Sequence, residues 1–313
     1  MSAPDAAAAA VGLTGGWSAY VTLIVVVNVV ASAWILFWAR TKSVDDGAAG
    51  ETMGHSFDGI EEYDLPLPRW WLWMFVGTIV FTIVYCVLYP GLGSFGGTLG
   101  WSAKGQYDDE VRDAQAKYGP IYAAFAARPI TDLIHDPQAV GIGQRLFANN
   151  CAACHGADAR GGVGFPNLTD DDWLFGGEPE TIQTTILGGR FAMMPPFAPA
   201  LGGDQGVKEV VAYVLSLSGQ PADAKLAEAG KARFNTICIA CHGMDAKGNK
   251  AMGSPNLTDD IWLFGGSAED IEFGLRSGRS GKMPAHADIL GEQKAHLVAT
   301  YVYSLSHPDV AAR

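Results

Sequence analysis

"CAACHG" at residues 151–156 returns as "CIACHG" at residues 238–243. In each, two cysteines three positions apart are followed at once by a histidine, a set that serves a zinc site, a dithiol redox pair or a covalent haem anchor. Each of the three demands a different surrounding structure, so the choice among them settles the second half of the chain.

The repetition reaches well beyond the hexapeptides. "GQRLFANNCAACHGADARG" (143–161) matches "GKARFNTICIACHGMDAKG" (230–248), and "PNLTDDDWLFGG" (166–177) matches "PNLTDDIWLFGG" (255–266). The cysteines are offset by 87 positions and the later block by 89, so the second copy carries a two-residue insertion between them. This is a tandem duplication, and the joint is "GQPADAK" (219–225), giving copies over 138–220 and 221–313. In each copy a helix runs into the CxxCH, a Gly-, Pro- and Asn-rich loop follows, and a periodic helix closes: "VKEVVAYVLSLS" from Val207 and "EQKAHLVATYVYSLS" from Glu292. No alternating strand pattern lies between, so the fold class is mainly α. Gly143 and Gly230, one turn ahead of Phe147 and Phe234, are expected to let the first helix of each copy cross closely against its closing helix, which carries Tyr213 or Tyr301.

Zinc needs four ligands, and neither copy supplies a second CxxC or a histidine pair close by. A thioredoxin-like dithiol wants a strand-and-helix context and gives the histidine no task. Covalent haem uses all three residues: two thioethers clamp the porphyrin, and the adjacent imidazole is aimed at the iron. Two haem c groups are therefore expected, attached through Cys151 and Cys154 and through Cys238 and Cys241, with His155 and His242 as axial ligands. The fifth cysteine, Cys86, sits alone in an apolar run and reads as a small filler. Aligning "GGRFAMMPPF" (188–197) with "SGRSGKMPAH" (277–286) through Arg190 and Arg279 pairs Met194 with Met283, each before a proline, as sixth ligands. Met193 is then the neighbour. Thioether ligation raises the potential, and a filled sixth position suits electron transfer rather than a reaction at the iron. Trp173 and Trp262 read as haem walls, while Arg190 and Arg279 are open between propionate partners and structural residues. His55, His135, His286, His296 and His307 have no counterpart in the other copy and read as ordinary polar residues. No catalytic residue is expected.

Upstream, no charged residue occurs between Asp5 and Arg40, and Trp17 to Ala39 is a 23-residue apolar stretch; Trp70 to Tyr89 is a second, with aromatics at both ends. Each is long enough to span a bilayer. A cleaved signal peptide would have a positive start and a shorter apolar core than the first stretch. Arg40, Lys42 and Arg69 lie in the loop 40–69, against none in the first 39 residues and none after the second stretch until Lys104. By the positive-inside rule the loop is cytoplasmic and both termini lie outside. Residues 1–16 read as a disordered tail, and 90–137 as a connector. From Lys104 to Arg313 there are 25 acids against 18 Lys and Arg, which disfavours nucleic acid and would steer in a basic protein.

Two spans, the stretch "RWWLWMFVGTIVFTIVYCVLYPGLGSFGGTLGW" (69–101), two CxxCH units and the doubled "PNLTDD" blocks together resemble the dihaem subunit (subunit III) of cbb3-type cytochrome c oxidases. The resemblance implies two transmembrane helices followed by two tandem cytochrome c-like haem domains, in a bacterial inner membrane with the haem domains periplasmic. It implies a subunit that is no enzyme by itself. Electrons would pass from a soluble or membrane-bound donor cytochrome c to the monohaem subunit and on to the catalytic haem-copper subunit, where oxygen is reduced and protons are pumped. A dihaem subunit of another membrane complex and a free membrane-anchored shuttle are the alternatives. A dihaem peroxidase needs one iron that opens, against which the two Met-Pro loops stand. Ligation within each copy is the default reading of the repeat, and exchange of Met194 and Met283 between the two irons is the other.

Overall fold

The computed structural model describes residues 14–40, 52–63 and 68–307. The chain divides into two units, residues 1–116 and 117–313.

In the first unit, helix α1 (Gly15–Arg40) starts two residues before the expected span, and α2 (Arg69–Leu88) matches the second. Both are long and apolar enough to cross a membrane. Their large side chains face outward, with Trp34 66% and Trp73 71% exposed, as a lipid-facing helix requires and a buried core helix does not. Several polar side chains are satisfied within their own helix: Thr22 Oγ1 donates to the Ser18 carbonyl, Asn28 Nδ2 to Ile24 and Thr82 Oγ1 to Thr78. That is the arrangement a medium without water demands. Cys86 is half-buried beside Gly91, consistent with a filler.

Between the spans, β1 (Thr52–Phe57) and β2 (Ile60–Tyr63) form an antiparallel hairpin, where only a solvated loop was expected. Asp58 and Gly59 both have positive φ, 50° and 83°, the pair that a two-residue primed turn needs. Residues 1–13 of the expected tail, and 41–51 and 64–67 of the loop with most of its acids, lie outside the described residues.

Helix α3 (Ala103–Ala126) contains the boundary between the units, so much of the connector expected over 90–137 is helical. In the second unit a single turn, α4 (Ile130–Leu133), leads to α5 (Pro137–Asn150). Asp136 caps α5 by accepting from the Gln138 and Ala139 amides, Pro137 opens it, and Arg128 at 2.8 Å holds the Asp136 carboxyl below the usual carboxylate range. The one-turn helix α6 (Ala152–His155) carries the first motif and stops at Gly156, whose φ is 79°. Helix α7 (Pro179–Gly188), strand β3 (Arg190–Met194) and helix α8 (Asp204–Leu217) complete the first copy. The second repeats it: α9 (Ala224–Ile237), α10 (Ile239–His242), α11 (Ala268–Ser277), β4 (Arg279–Met283) and α12 (Ala287–Ser306), which bends at Gly291.

Two features differ from the sequence reading. First, β3 and β4 pair as an antiparallel ribbon, Arg190 opposite Met283, Ala192 opposite Gly281 and Met194 opposite Arg279. Strands of only five residues, RFAMM and RSGKM, carry little alternation, and each partner lies in the other copy. Second, the closing helices change places. α12, from the second copy, packs on α5 and α7 of the first, while α8 packs on α9 and α11 of the second. A methyl group at Gly143 would overlap the Leu297 carbonyl and Tyr301, and one at Gly230 would overlap the Glu209 carbonyl and Tyr213. The glycine-aromatic crossing is present, then, but between copies: Phe147 meets Tyr301 (ring centres 5.4 Å) and Phe234 meets Tyr213 (5.2 Å). Two cores result. One gathers Phe147, Ile182 and Ile186 with Val298, Tyr301 and Val302; the other gathers Val207, Val210 and Val214 with Phe234 and Leu275. The physical reason is the short joint: the six residues 218–223 between α8 and α9 make these two helices antiparallel neighbours, and α12 is left to close on α5.

A candidate two-haem centre

Both CxxCH segments open onto one continuous, largely apolar cavity of about 430 Å³. His155 is buried, and its Nδ1 lies 3.1 Å from the Pro166 carbonyl; His242 Nδ1 lies 3.2 Å from the Pro255 carbonyl. A carbonyl only accepts, so Nδ1 carries the proton and Nε2 is left with its lone pair, the tautomer an iron ligand needs. Burial lowers both imidazole pKa values, which keeps the lone pair available.

Burial, with Cys154 adjacent, pushes the Cys151 thiol up to about 11, and burial with Cys241 adjacent does the same to Cys238, so neither is a free thiolate. Among the described residues no group of three or more Cys, His, Asp or Glu is arranged to hold a metal ion. Neutral thiols against an apolar wall, a histidine lone pair and a thioether fit an iron porphyrin instead.

The candidate thioethers arrive from the opposite copy. Met283 packs on the core that holds Phe147 and Cys151, and Met194 on the core that holds Phe234 and Cys238. Backbone contacts fix the crossing: the His286 amide donates to the Ile186 carbonyl at 3.0 Å, and the Phe197 amide to Leu275 at 2.8 Å. Gly189 (φ 69°) and Gly278 (φ 77°) lie so close under these Met-Pro segments that a side chain at either would meet the Met283 or Met194 carbonyl. Met194 and Met283, which sequence register pairs, sit at equivalent ends of the ribbon, and the repeat carried no signal for the crossing. Met193, on the outer face of β3, is 64% exposed.

Trp173 and Trp262 line the cavity, each lying over a glycine, Gly177 or Gly266, where any Cβ would strike the indole. Phe175 packs on Gly253 of the second copy and Phe264 on Gly164 of the first, a reciprocal pair that sequence reading passed over. Arg190 and Arg279 also reach the cavity. Of the unmatched histidines, His296 bridges the Gln183 amide oxygen and the Arg128 carbonyl, a structural role, whereas His286 borders the cavity.

Comparison with known proteins agrees. Residues 138–214 and 225–302 each match the family described as cytochrome c oxidase, cbb3-type, subunit III, and residues 49–96 match the N-terminal domain of cytochrome oxidase-cbb3, FixP. The chain is 49% identical over 300 residues to the cbb3-type cytochrome c oxidase subunit CcoP of Rubrivivax gelatinosus, covering 95% of this chain and 98% of that protein. It is 40% identical over 283 residues to the subunit FixP of Sinorhizobium medicae (85% and 98% covered), and 40% over 272 residues to CcoP of Cereibacter sphaeroides (81% and 94%). A pair of apolar spans, two haem c sites and these relatives together make the chain a member of the subunit III family of cbb3-type cytochrome c oxidases, the membrane-anchored dihaem electron-transfer subunit.

Proposed function

We propose that the chain relays single electrons from a donor cytochrome c, through both haems, to the monohaem and catalytic haem-copper subunits of the oxidase, and that it turns over no substrate by itself. The observation that carries this reading is the shared cavity, which brings both attachment motifs to one apolar space. Bound there, haem c supplies a one-electron iron couple. The chain's own residues do the rest. Cys151 and Cys154 anchor one macrocycle and Cys238 and Cys241 the other, Pro166 and Pro255 hold the imidazoles in register, and the apolar cores keep water from the irons. In this reading His155 pairs with Met283, and His242 with Met194, supported by the company each methionine keeps. With a histidine and a methionine offered to each iron, no position would be left for oxygen or peroxide.

Both termini and the haem unit are assigned to the periplasm and residues 40–69 to the cytoplasm, on the placement of Arg40, Lys42 and Arg69. Reporter fusions before and after each span check that topology.

One experiment separates crossed from uncrossed ligation. In a full chain with Cys151→Ser and Cys154→Ser, only the haem at Cys238 and Cys241 remains. Met194→Ala in that background is expected to abolish its thioether-to-iron absorption band and lower its potential, and Met283→Ala to leave both in place. The reverse outcome would return the ligands to their own copies.

A further inference from the structure

On the inward face of the ribbon, each end presents a methionine beside an arginine of the other strand, Met283 with Arg190 and Met194 with Arg279. We propose that Arg190 and Arg279 are the carboxylate-binding residues of the two haem sites, each holding a propionate of the haem on its own side of the shared cavity and, by its charge, raising that haem's potential. This rests on the two-haem reading above.

Four observations support it. Arg128, Arg233 and Arg276 each meet a carboxylate, whereas Arg190 and Arg279 have no carboxylate partner among the described residues. Arg190 spends only Nε, on Thr185 Oγ1 at 2.9 Å, and Arg279 only Nη2, on the Asp270 carbonyl at 2.7 Å. Each therefore keeps several N–H groups unspent at the edge of an apolar cavity, and a guanidinium presents those donors as a fork that matches a carboxylate. Both guanidiniums lie over aromatic rings: Arg190 is 5.0 Å from the centre of Phe175, and Arg279 5.1 and 4.8 Å from Phe264 and Phe273. Finally, Gly274 of α11 leaves room for Arg279 and the Met194 methyl side by side, 3.2 and 3.7 Å from where its Cβ would stand, so thioether and guanidinium share one site.

A half-buried cation with no anion pays a desolvation penalty that one hydrogen bond and its ring contacts offset only in part. The carboxylates of the cofactor are the anions that belong in this cavity. Neutralising them makes the site less favourable to the ferric iron, so the ferrous form gains.

The test is potentiometric titration of Arg190→Gln and Arg279→Gln in the purified, haem-loaded full chain, with resonance Raman spectra of the propionate bending modes. Single-haem cysteine-to-serine backgrounds assign each signal. Arg190→Gln is expected to shift the ferrous-to-ferric ratio of the haem at Cys151 and Cys154 about tenfold toward ferric at fixed ambient potential, about 59 mV for a one-electron couple. Its propionate modes should move, the other haem should not respond, and Arg190→Lys should recover most of the potential because it keeps the charge. Arg279→Gln should act on the haem at Cys238 and Cys241. Unchanged potential and propionate modes in loaded Arg190→Gln, or a loss in Arg190→Lys as large as in Arg190→Gln, would overturn the proposal and leave ring stacking as the role. Should Arg190→Gln fail to take up haem, Arg190→Lys decides alone: shifted propionate modes with the potential held support the proposal, and unshifted modes overturn it. Met283→Ala reads the ligand assignment independently, so failure of one does not stand in for failure of the other.

Discussion

Gly143 shows how much one residue contributes to this fold. Its missing side chain is what allows α5 to sit on the Leu297 carbonyl of α12, a contact spanning most of the haem-bearing unit. Gly143→Ala forces those helices apart, and overpacking of this kind costs about 1–3 kcal/mol. The expected result is a lower melting temperature for the half that holds the haem at Cys151 and Cys154, followed through the visible absorption of single-haem variants, with the other half unaffected. At this scale the sequence was highly informative. The two CxxCH motifs and the two Met-Pro segments stand out in the sequence, because covalent haem chemistry ties residue type to spacing, whereas the glycine-aromatic crossings were expected within each copy and occur between them. Arg190 and Arg279 were legible as positions but left open between propionate partners and structural residues, since what marks them, the lack of an ion pair among the described residues, is a property of three-dimensional packing.

Among the elements, the long ones were readable and the short ones were not. Charge-free runs of 20 residues or more fix α1 and α2, and apolar periodicity fixes α8 and α12. The ribbon was hidden because β3 and β4 find their hydrogen bonds in each other across the duplication, and "RFAMM" and "RSGKM" alternate over only five positions. The β1–β2 hairpin did carry a local signal, the Asp58-Gly59 turn, between strands too polar to stand out. The ribbon's ends depend on glycine. Gly278 has a φ of 77° and lies under the Met194 carbonyl, so alanine there meets both backbone strain and a collision. Gly278→Ala is expected to weaken Met194 ligation. The thioether-to-iron band of the haem at Cys238 and Cys241 should fade while the band of the other haem persists, which absorption spectra of single-haem variants would register.

For the whole molecule, the duplication concealed the exchange of closing helices, because two copies with the same glycine-aromatic pattern fit each other as well as they fit themselves. Only the six-residue joint at 218–223 breaks that symmetry, by forcing α8 and α9 into a hairpin. The consequence runs against intuition about tandem domains. Each half of the haem unit is built from both copies, so the core around the first CxxCH is closed only by α12, the last described helix of the chain. Removing α12 by ending the chain after His286 keeps all four attachment cysteines and both methionines, yet takes Val298, Tyr301 and Val302 from the core around Phe147. Loss of three such side chains costs far more than the few kcal/mol of margin a domain carries. The expected outcome is that the haem at Cys151 and Cys154, in the copy left untouched, becomes high-spin, protease-sensitive or absent. The haem at Cys238 and Cys241, within the truncated copy, keeps its low-spin spectrum because α8, α9, α11 and Met194 are all retained. Mass spectrometry of haem-bearing peptides with magnetic circular dichroism reads both at once, and loss confined to the second haem would mean that the closing helices had not changed places.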